Sequence, residues 1–283
     1  MSRPRGKKLP RLIRAALENA GIDNSRRAST GVDVVGDIAI IRLPEFPQKE
    51  KRRVAQALLD EMKNVAVVME QEGGIGGEYR LRKLRHLAGA NRTLTVHREN
   101  GCAFKVDVTK CYFSPRLSTE RLRVARLVGP KEKVLNMFAG VGPFSIPIAR
   151  LAGVRVVSCE VNEYAARLHV ENDVLNKVDD LVSVIHGDAA ELPRLTKAKF
   201  DRILMPLPSE ANRFLPVALR MAKKKATVHY YRHVLGKNED EASEGLSSEL
   251  SELLPKGAKY SVRRVREVGP RWLEMAAEIR APG

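Results

Sequence analysis

The stretch VLNMFAGVGPFSIP at residues 134–147 decides the fold of this chain. It predicts a buried strand that runs into a glycine turn by residue 140, followed by a helix over 142–153. Glycines at such a turn let a ligand approach the backbone, and the helix N-terminus behind them presents free N–H groups. Strand, glycine turn and helix in this order predict the first unit of a parallel, doubly wound sheet.

The sequence downstream continues the alternation of strands and helices. Apolar runs predict strands at 155–162, 182–188, 200–208 and 226–234, and helical spacing predicts helices at 163–177, 189–196 and 209–223. A helix over 118–128, with Ser118 as its N-cap, precedes the glycine turn. The Ser- and Glu-rich segment 237–252 is expected to be a surface loop that leads into a short helix. The fold class is therefore α/β, with a Rossmann-like domain over residues 111–283.

The sequence upstream predicts a smaller α+β domain over residues 31–110. It is expected to follow a basic N-terminal arm and helix over residues 1–30, in which a short helix over 11–21 ends at Gly21. The small domain is expected to contain a strand pair over 32–44 bent at Gly36 and Asp37, a helix over 48–63, a strand at 65–70, a glycine-rich break at 72–80, and strands at 93–98 and 102–109.

Composition limits the class of protein. The chain has 283 residues, of which 43% are hydrophobic and 30% charged, so a core can form and wholesale disorder is excluded. No apolar run approaches the roughly 18 residues of a membrane span, so we expect a soluble, cytoplasmic protein. The three cysteines, Cys102, Cys111 and Cys159, are odd in number and lack metal-like spacing. They are expected to be buried free thiols, and no metal site is predicted.

The net charge of +16 indicates an acidic partner, with nucleic acid first and a membrane surface second. Residues 80–98 contain six basic and no acidic side chains, so the charge is concentrated as a docking surface requires. Aromatic residues make up only 5%, which argues against a general single-strand binder built on stacking.

Two carboxylates follow the glycine turn at informative positions. Glu160 stands 20 residues after Gly140 at the end of the second strand, where a carboxylate reaches a ribose diol. Asp188 ends the third strand, where it can approach an adenine edge. Pro143 and Phe144 replace the third glycine of the dinucleotide fingerprint, so a nucleoside cofactor such as S-adenosylmethionine fits better than NAD. Taken singly, each carboxylate is better interpreted as an ordinary strand-end residue, but the two together, in this order and on these elements, favour a cofactor site.

Two longer motifs carry a family resemblance. The segment YRLRKLRHLAGANRTLTVHRENGCAFKVDVTKCYFSPRLSTER (79–121), joined to VLNMFAGVGPFSIP, resembles the tRNA (guanine-37 N1)-methyltransferases of archaea and eukaryotes. The likeness covers residues 32–283, and SPRLSTER together with FAGVGPFS is its specific part. A close relative with the same fold and cofactor is the aminocarboxypropyl transferase of wybutosine synthesis. That enzyme usually has Tyr where Pro143 stands, and HYY (229–231) also favours the methyltransferase.

The resemblance implies a role for individual residues. Glu120 matches the family's general base, and Arg80 matches the arginine that faces the guanine oxygen. The chemistry agrees, because guanine N1 carries a proton that a carboxylate can remove while a guanidinium stabilises charge at O6. Without the resemblance, Glu120 reads as a capping residue or as an ion-pair partner of Arg123. The implied cofactor contacts are Phe138, Ala139, Gly140, Val141, Gly142, Glu160, Asp188 and Pro206.

The implied partner is the anticodon loop of a tRNA, gripped by basic side chains at Arg82, Arg85, Arg116 and Arg121. We expect a monomer with no obligate protein partner. Pro206 replaces the Asn of the family's Asn-Leu-Pro motif, and Asn136 stands where an acidic residue is common. A separate N-terminal tRNA-elbow domain is not evident in the sequence. Aminocarboxypropyl transfer and a catalytically dead RNA-binding fold stay open as alternatives.

Overall fold

A computed structural model describes residues 15–22, 31–43 and 45–281. The described residues fall into two compact units, residues 1–118 and residues 119–283. Of the predicted N-terminal helix, residues 15–19 are helical, and Gly21 ends it with a left-handed φ of 65°. The remainder of the predicted arm, residues 1–14 and 23–30, lies outside the described residues.

The first unit contains a four-stranded mixed sheet of order β1-β2-β3-β4 and a separate β5-β6 hairpin. A helix, α1, connects β2 to its parallel neighbour β3 and buries Val54, Ala55 and Leu58. These side chains lie at helical spacing, so one face of the helix packs into the core. The elements are β1 (Val32–Val35), β2 (Ile38–Ile41), α1 (Gln48–Glu61), β3 (Val67–Gly76), β4 (Leu81–Gly89), β5 (Leu94–Glu99) and β6 (Cys102–Asp107).

Strand β4 corrects the sequence-based description of this unit. The predicted glycine-rich break at 72–80 is wrong at its start, because β3 continues through the glycines to Gly76 and pairs there with Leu81 of β4. The sequence predicts no strand at 81–89. Basic side chains stand at positions 82, 83 and 85 of this edge strand, so its sequence lacks the regular alternation of apolar and polar residues that identifies a strand.

The second unit is built on a seven-stranded sheet of order β12-β13-β11-β10-β7-β8-β9. Strands β7 to β11 are parallel, and β13 is antiparallel to both of its neighbours. This confirms the predicted α/β class with a Rossmann-like sheet. The strands are β7 (Val134–Asn136), β8 (Val156–Glu160), β9 (Val182–His186), β10 (Phe200–Met205), β11 (Ala222–Leu235), β12 (Lys259–Gly269) and β13 (Trp272–Arg280).

Helices cover the second sheet and complete its core. The inner side chains of β7 and β10 pack with those of the flanking helices, and Leu135, Ile203, Met205 and Ala218 are fully buried. The helices are α2 (Ser118–Leu127), α3 (Ser145–Ala152), α4 (Glu163–Leu175), α5 (Leu192–Leu195), α6 (Ala211–Met221) and α7 (Glu239–Leu253).

Three local predictions in the second half of the chain are wrong. The Ser- and Glu-rich segment forms the 15-residue helix α7, because Ala242, Leu246 and Leu250 form a buried stripe along it. Ser118 is helical rather than an N-cap, because a 3₁₀ turn at Pro115–Leu117 leads directly into α2. Helix α3 begins at Ser145, three residues after the predicted start.

The three cysteines are free and buried, as predicted. Cys102 and Cys159 lie in strands, whereas Cys111 follows the turn after β6. Within the part of the chain that the structure describes, no helix is both long and apolar enough to span a bilayer.

Candidate functional site

The predicted glycine turn lies at the carboxyl end of β7. Gly140 and Gly142 adopt left-handed φ angles of 54° and 91°, which glycine tolerates best. The Ala139 amide donates to the Cys159 carbonyl at 2.9 Å, so the turn is anchored to β8. A Cβ at Gly142 would lie 2.6 Å from the ring of His169, too close for any side chain. The turn therefore presents backbone at the position where a cofactor is predicted.

Glu160 braces this turn from the end of β8. Its Oε2 accepts the Gly140 amide at 2.6 Å, and its Oε1 accepts the Asn162 amide at 2.9 Å. Burial raises the pKa of Glu160, while these backbone donors lower it. Because each carboxylate oxygen has more than one acceptor position, the side chain can still accept the two hydroxyls of a ribose.

Asp188 lies at the same edge of the sheet, after the neighbouring strand β9. Its side chain is exposed, and Oδ1 accepts the Ala190 amide at 2.9 Å, which caps the 3₁₀ turn at Ala189–Glu191. Burial raises the pKa of Cys159 to about 12, with smaller contributions from the charges of Glu160 and Asp188. The structure thus brings the turn, Glu160 and Asp188 to one edge, in the order that the sequence predicts.

The two departures from the family pattern have different local consequences. Asn136 is fully buried, and its Nδ2 donates to Ser145 Oγ, which also accepts from Ser158 Oγ. A neutral amide suits this network, because an acidic side chain in place of Asn136 would have no N–H group to donate to Ser145 Oγ. Pro206 follows β10 half-buried, and the Leu207 amide donates to the Met205 carbonyl at 2.8 Å. Pro206 offers only its own carbonyl at the position of the family's Asn side chain.

Glu120 lies buried in helix α2 within a group of donors. Tyr231 Oη donates to its Oε1 at 2.7 Å, and Arg123 binds both oxygens, from Nε at 2.9 Å and from Nη2 at 3.0 Å. Arg263 of β12 also pairs with Oε2. The ion pair with Arg123 that the sequence suggests as an alternative is therefore present. Both carboxylate oxygens of Glu120 therefore already accept from donors on Tyr231, Arg123 or Arg263.

Arg80 belongs to the first unit and ends the turn between β3 and β4. Its φ of 53° is left-handed, which is unusual for a side chain of this size and often marks a functional position. Its amide donates to the Gly77 carbonyl at 3.1 Å. Its guanidinium carbon lies 5.6 Å from the centre of the Tyr112 ring, within cation–π range.

Comparison with known proteins decides the family. The sequence profile of the TRM5/TYW2 methyltransferase domain matches residues 95–248, and that of the TYW2 N-terminal domain matches residues 13–93. The chain belongs to the TRM5/TYW2 methyltransferase family.

Individual members of the TRM5/TYW2 family are similar over most of the chain. A tRNA (guanine(37)-N(1))-methyltransferase, Trm5b from Pyrococcus abyssi, is 41% identical over 89% of this chain and 74% of that protein. The tRNA 4-demethylwyosine(37)-methyltransferase Taw21 from Saccharolobus solfataricus is 36% identical over 88% of this chain and 93% of that protein. The solved complex of aTrm5 with tRNALeu superposes with a TM-score of 0.78 at 33% identity, over 89% of this chain and 72% of that one.

The four arginines predicted to hold RNA in this TRM5/TYW2 member fall into two groups. Arg85 and Arg116 are exposed, although Arg85 pairs with Glu72 and Arg116 with Asp33. Arg82 and Arg121 are buried. Arg82 donates to Asp33 at 2.9 Å, and Arg121 lies 6.0 Å from the Phe144 ring. Buried guanidiniums do not reach a phosphate, so the surface prediction for these two requires correction.

Arg82→Met and Arg85→Met form a matched pair that tests this difference. Loss of Arg82 removes the buried one of the two guanidiniums that pair with the half-buried Asp33, the other being the exposed Arg116, so the free energy of unfolding of the first unit should fall by about 2 kcal/mol. Loss of the exposed Arg85 should cost less than about 1 kcal/mol. Hydrogen exchange of the β3–β4 amides measures both effects. Equal stability of the two variants would contradict the structural role of Arg82.

Sequence reasoning missed several residues that the structure places beside the predicted ones. Tyr231 and Arg263 contact Glu120, and Tyr112 contacts Arg80. Tyr112 lies two residues before the SPRLSTER motif, so the sequence could have indicated it as a site residue. Tyr231 and Arg263 are more than 100 residues from Glu120, and no local pattern pairs residues over that distance.

Proposed function

We propose that this protein transfers a methyl group from S-adenosylmethionine to N1 of guanine 37 in tRNA. The observation that carries the proposal is the glycine turn braced by Glu160 in a TRM5/TYW2 methyltransferase domain. The similarity to a tRNA (guanine(37)-N(1))-methyltransferase at 41% identity supports the choice of base and atom.

The cofactor fits the residues present. A ribose diol would donate to Glu160, the adenine edge would approach Asp188, and the backbone of residues 138–142 and Pro206 would line the remainder. The cofactor supplies an electrophilic methyl group on a sulfonium. The chain's part is to hold that group against the base, and fixed proximity of this kind removes a large part of the barrier.

Glu120 and Arg80 supply the acid–base chemistry in this proposal. Glu120 takes the N1 proton, so that the nitrogen lone pair can attack, and Arg80 stabilises the charge that develops at O6. Because Glu120 accepts bonds on both oxygens, taking a proton requires one donor to change. Tyr231 can do this, since a hydroxyl that donates can turn and accept, whereas an arginine cannot.

The RNA partner proposed for this site is the anticodon loop. Base 37 has to leave its stack to reach the cofactor, which costs a few kcal/mol. The first unit would position the loop through exposed basic side chains, of which Arg85 and Arg116 are candidates. The affinity for RNA falls with salt concentration, and replacing Arg85 should reduce the magnitude of the slope of log affinity against log salt concentration by about 0.7. Arg82→Met should leave this slope unchanged.

A second candidate is methyl transfer to 4-demethylwyosine at position 37. Two observations favour it: the alignment covers 93% of the Taw21 protein against 74% of Trm5b, and Pro206 cannot present an amide side chain to the base. Aminocarboxypropyl transfer is the other alternative, because residues 13–93 match the TYW2 N-terminal domain.

Nucleoside mass spectrometry of treated tRNA separates these reactions. Purified protein is incubated with S-adenosylmethionine and transcripts that carry guanine or adenine at position 37, and with tRNA that contains 4-demethylwyosine. A singly methylated guanosine from the guanine transcript alone supports the proposal. Methylation of both transcripts would refute it, and product only from 4-demethylwyosine, with a methyl or a four-carbon amino acid group, would assign an alternative.

We further propose that the protein acts as a monomer in the cytoplasm. A dead RNA-binding fold is the non-enzymatic alternative, and calorimetric titration with S-adenosylmethionine discriminates it. The hydrogen bond from the Gly140 amide to Glu160 supports binding of S-adenosylmethionine, because it holds the glycine turn in place. Failure to bind the cofactor would exclude the enzymatic reading.

A further inference from the structure

Two buried polar side chains behind the glycine turn are used by none of the chemistry above. His169 and Asp173 lie one turn apart on the inner face of α4 and are almost wholly inaccessible to solvent. His169 Nε2 and Asp173 Oδ1 are 3.5 Å apart. Within the described part of the chain, neither of these atoms makes a hydrogen bond of regular geometry, and neither does His169 Nδ1, although the Gly140 backbone acts on the ring as a hydrogen-bonding group. Unpaired buried polar groups are costly, so their retention requires a reason.

The imidazole packs directly against the glycine turn. A Cβ at Gly142 would lie 2.6 Å from His169 Cδ2 and 2.7 Å from Nε2, so ring and backbone are in contact. On the same face of α4, Asn172 Nδ2 donates to the Val141 carbonyl at 3.0 Å. Helix α4 therefore supports the turn at residues 141 and 142, while the Glu160 carboxylate accepts the Gly140 amide.

We propose that His169 and Asp173 share one proton and that this pair is a positioning device for the cofactor turn. The Asp173 carboxyl donates to His169 Nε2, and the ring that this bond fixes holds residues 140–142 in their left-handed conformation. The inference rests on the proposed cofactor site. It adds two residues that touch neither cofactor nor RNA and act through the backbone of the turn.

The protonation states of the two groups are consistent with a shared proton. Burial lowers the pKa of His169 to about 3, against a smaller opposite effect of the Gly140 backbone. Burial, and secondarily the charge of Asp179, raises the pKa of Asp173 to about 8. At neutral pH both groups are therefore uncharged, and the proton that joins them resides on the carboxyl. Above about pH 8 the Asp173 carboxyl loses this proton and can no longer donate to His169 Nε2.

Other groups near the pair bear on any pH dependence. Asp179, after α4, is the charged residue that acts on Asp173, and Glu160 is the carboxylate that accepts the Gly140 amide of the turn. The part of the turn that the His169 ring contacts, at Gly142, carries no charge. Glu160 gains a charge as pH rises, which favours cofactor binding, so Glu160 does not contribute to an alkaline loss of affinity. The amino group of S-adenosylmethionine also loses its charge in this range, so the effect of Asp173 is the difference in alkaline loss between the wild type and a variant that lacks the Asp173 carboxyl.

Calorimetric titration of the full chain with S-adenosylmethionine tests the proposal at pH 7.0 and pH 9.5. The wild type should lose about fivefold or more in affinity at the higher pH. Asp173→Asn, which can still donate to Nε2, should bind within about twofold of wild type at pH 7.0 and should lose about fivefold less affinity than the wild type between pH 7.0 and pH 9.5. Glu171→Gln, on the exposed face of α4, is the matched control and should behave as wild type.

Two apolar variants separate positioning from stability. Asp173→Leu should lower Tm by several degrees and raise KM for the cofactor about tenfold, with kcat nearly unchanged. The double variant H169L/D173L removes both polar groups, so Tm should recover while KM stays about tenfold raised. Recovery of KM together with Tm, or a wild-type affinity that does not change with pH, would overturn the proposal. A wild type that does not bind the cofactor at all would instead overturn the proposed function.

Discussion

Glu120→Gln is expected to lower kcat for tRNA methylation by about 10²- to 10⁴-fold while the affinity for S-adenosylmethionine stays close to that of the wild type. The amide is nearly isosteric with the carboxylate but cannot take the N1 proton. Single-turnover methylation of a guanine-37 transcript measures the chemical step, and calorimetry measures cofactor binding. A large loss of cofactor affinity would contradict the assignment of Glu120 as the base.

Glu278→Gln is the matched control for this experiment. Arg123 bridges the two carboxylates, since its Nη1 donates to Glu278 Oε1 at 2.6 Å. The control therefore disturbs the same guanidinium from its other side and leaves Glu120 intact. If Glu120 is only a structural partner of Arg123, both variants should lose activity and stability to a similar degree. If Glu120 is the base, only its own substitution should slow the chemical step by orders of magnitude.

The core of the fold was predictable from the sequence because its signals are local. A buried strand, a glycine turn and a helix follow one another within 14 residues, and Glu160 and Asp188 stand at the ends of the next two strands. Parallel strands place their carboxyl ends at one edge, so order along the chain already implies proximity. The cofactor edge of the second unit could therefore be assigned without coordinates.

Features that depend on distant partners were not predictable in the same way. Strand β4 is defined by its pairing with β3, and its own sequence is dominated by basic residues. Helix α7 has its apolar stripe, but Ser and Glu between the buried positions suggested a loop. Burial of Arg82 and Arg121 depends on partners contributed by other elements, so sequence alone assigned both to the surface.

Glu160→Ala is expected to weaken S-adenosylmethionine binding by about 100-fold. The side chain would accept two ribose hydroxyls, and charge-assisted bonds of this kind contribute about 1.5–3 kcal/mol each; the lower end of this range, about 3 kcal/mol for the two bonds, corresponds to a factor of about 100. The variant also removes the acceptor of the Gly140 amide, so the turn loses its brace. Asp188→Ala, at an exposed carboxylate on the same edge, should cost about tenfold or less. Glu163→Gln, on the solvent side of α4, should cost nothing.

Glu160→Gln sharpens this prediction, because both oxygens of the carboxylate face backbone donors. Whichever way the amide is oriented, its NH₂ group meets the N–H of Gly140 or of Asn162, so one donor opposes another. The conservative variant should therefore bind the cofactor nearly as weakly as Glu160→Ala. Burial also raises the pKa of Glu160, so cofactor affinity of the wild type should fall as pH decreases through that pKa, and this acidic loss should be absent in both variants. Retention of wild-type affinity by Glu160→Gln would show that the carboxylate charge is dispensable and would place the ribose contact elsewhere on this edge.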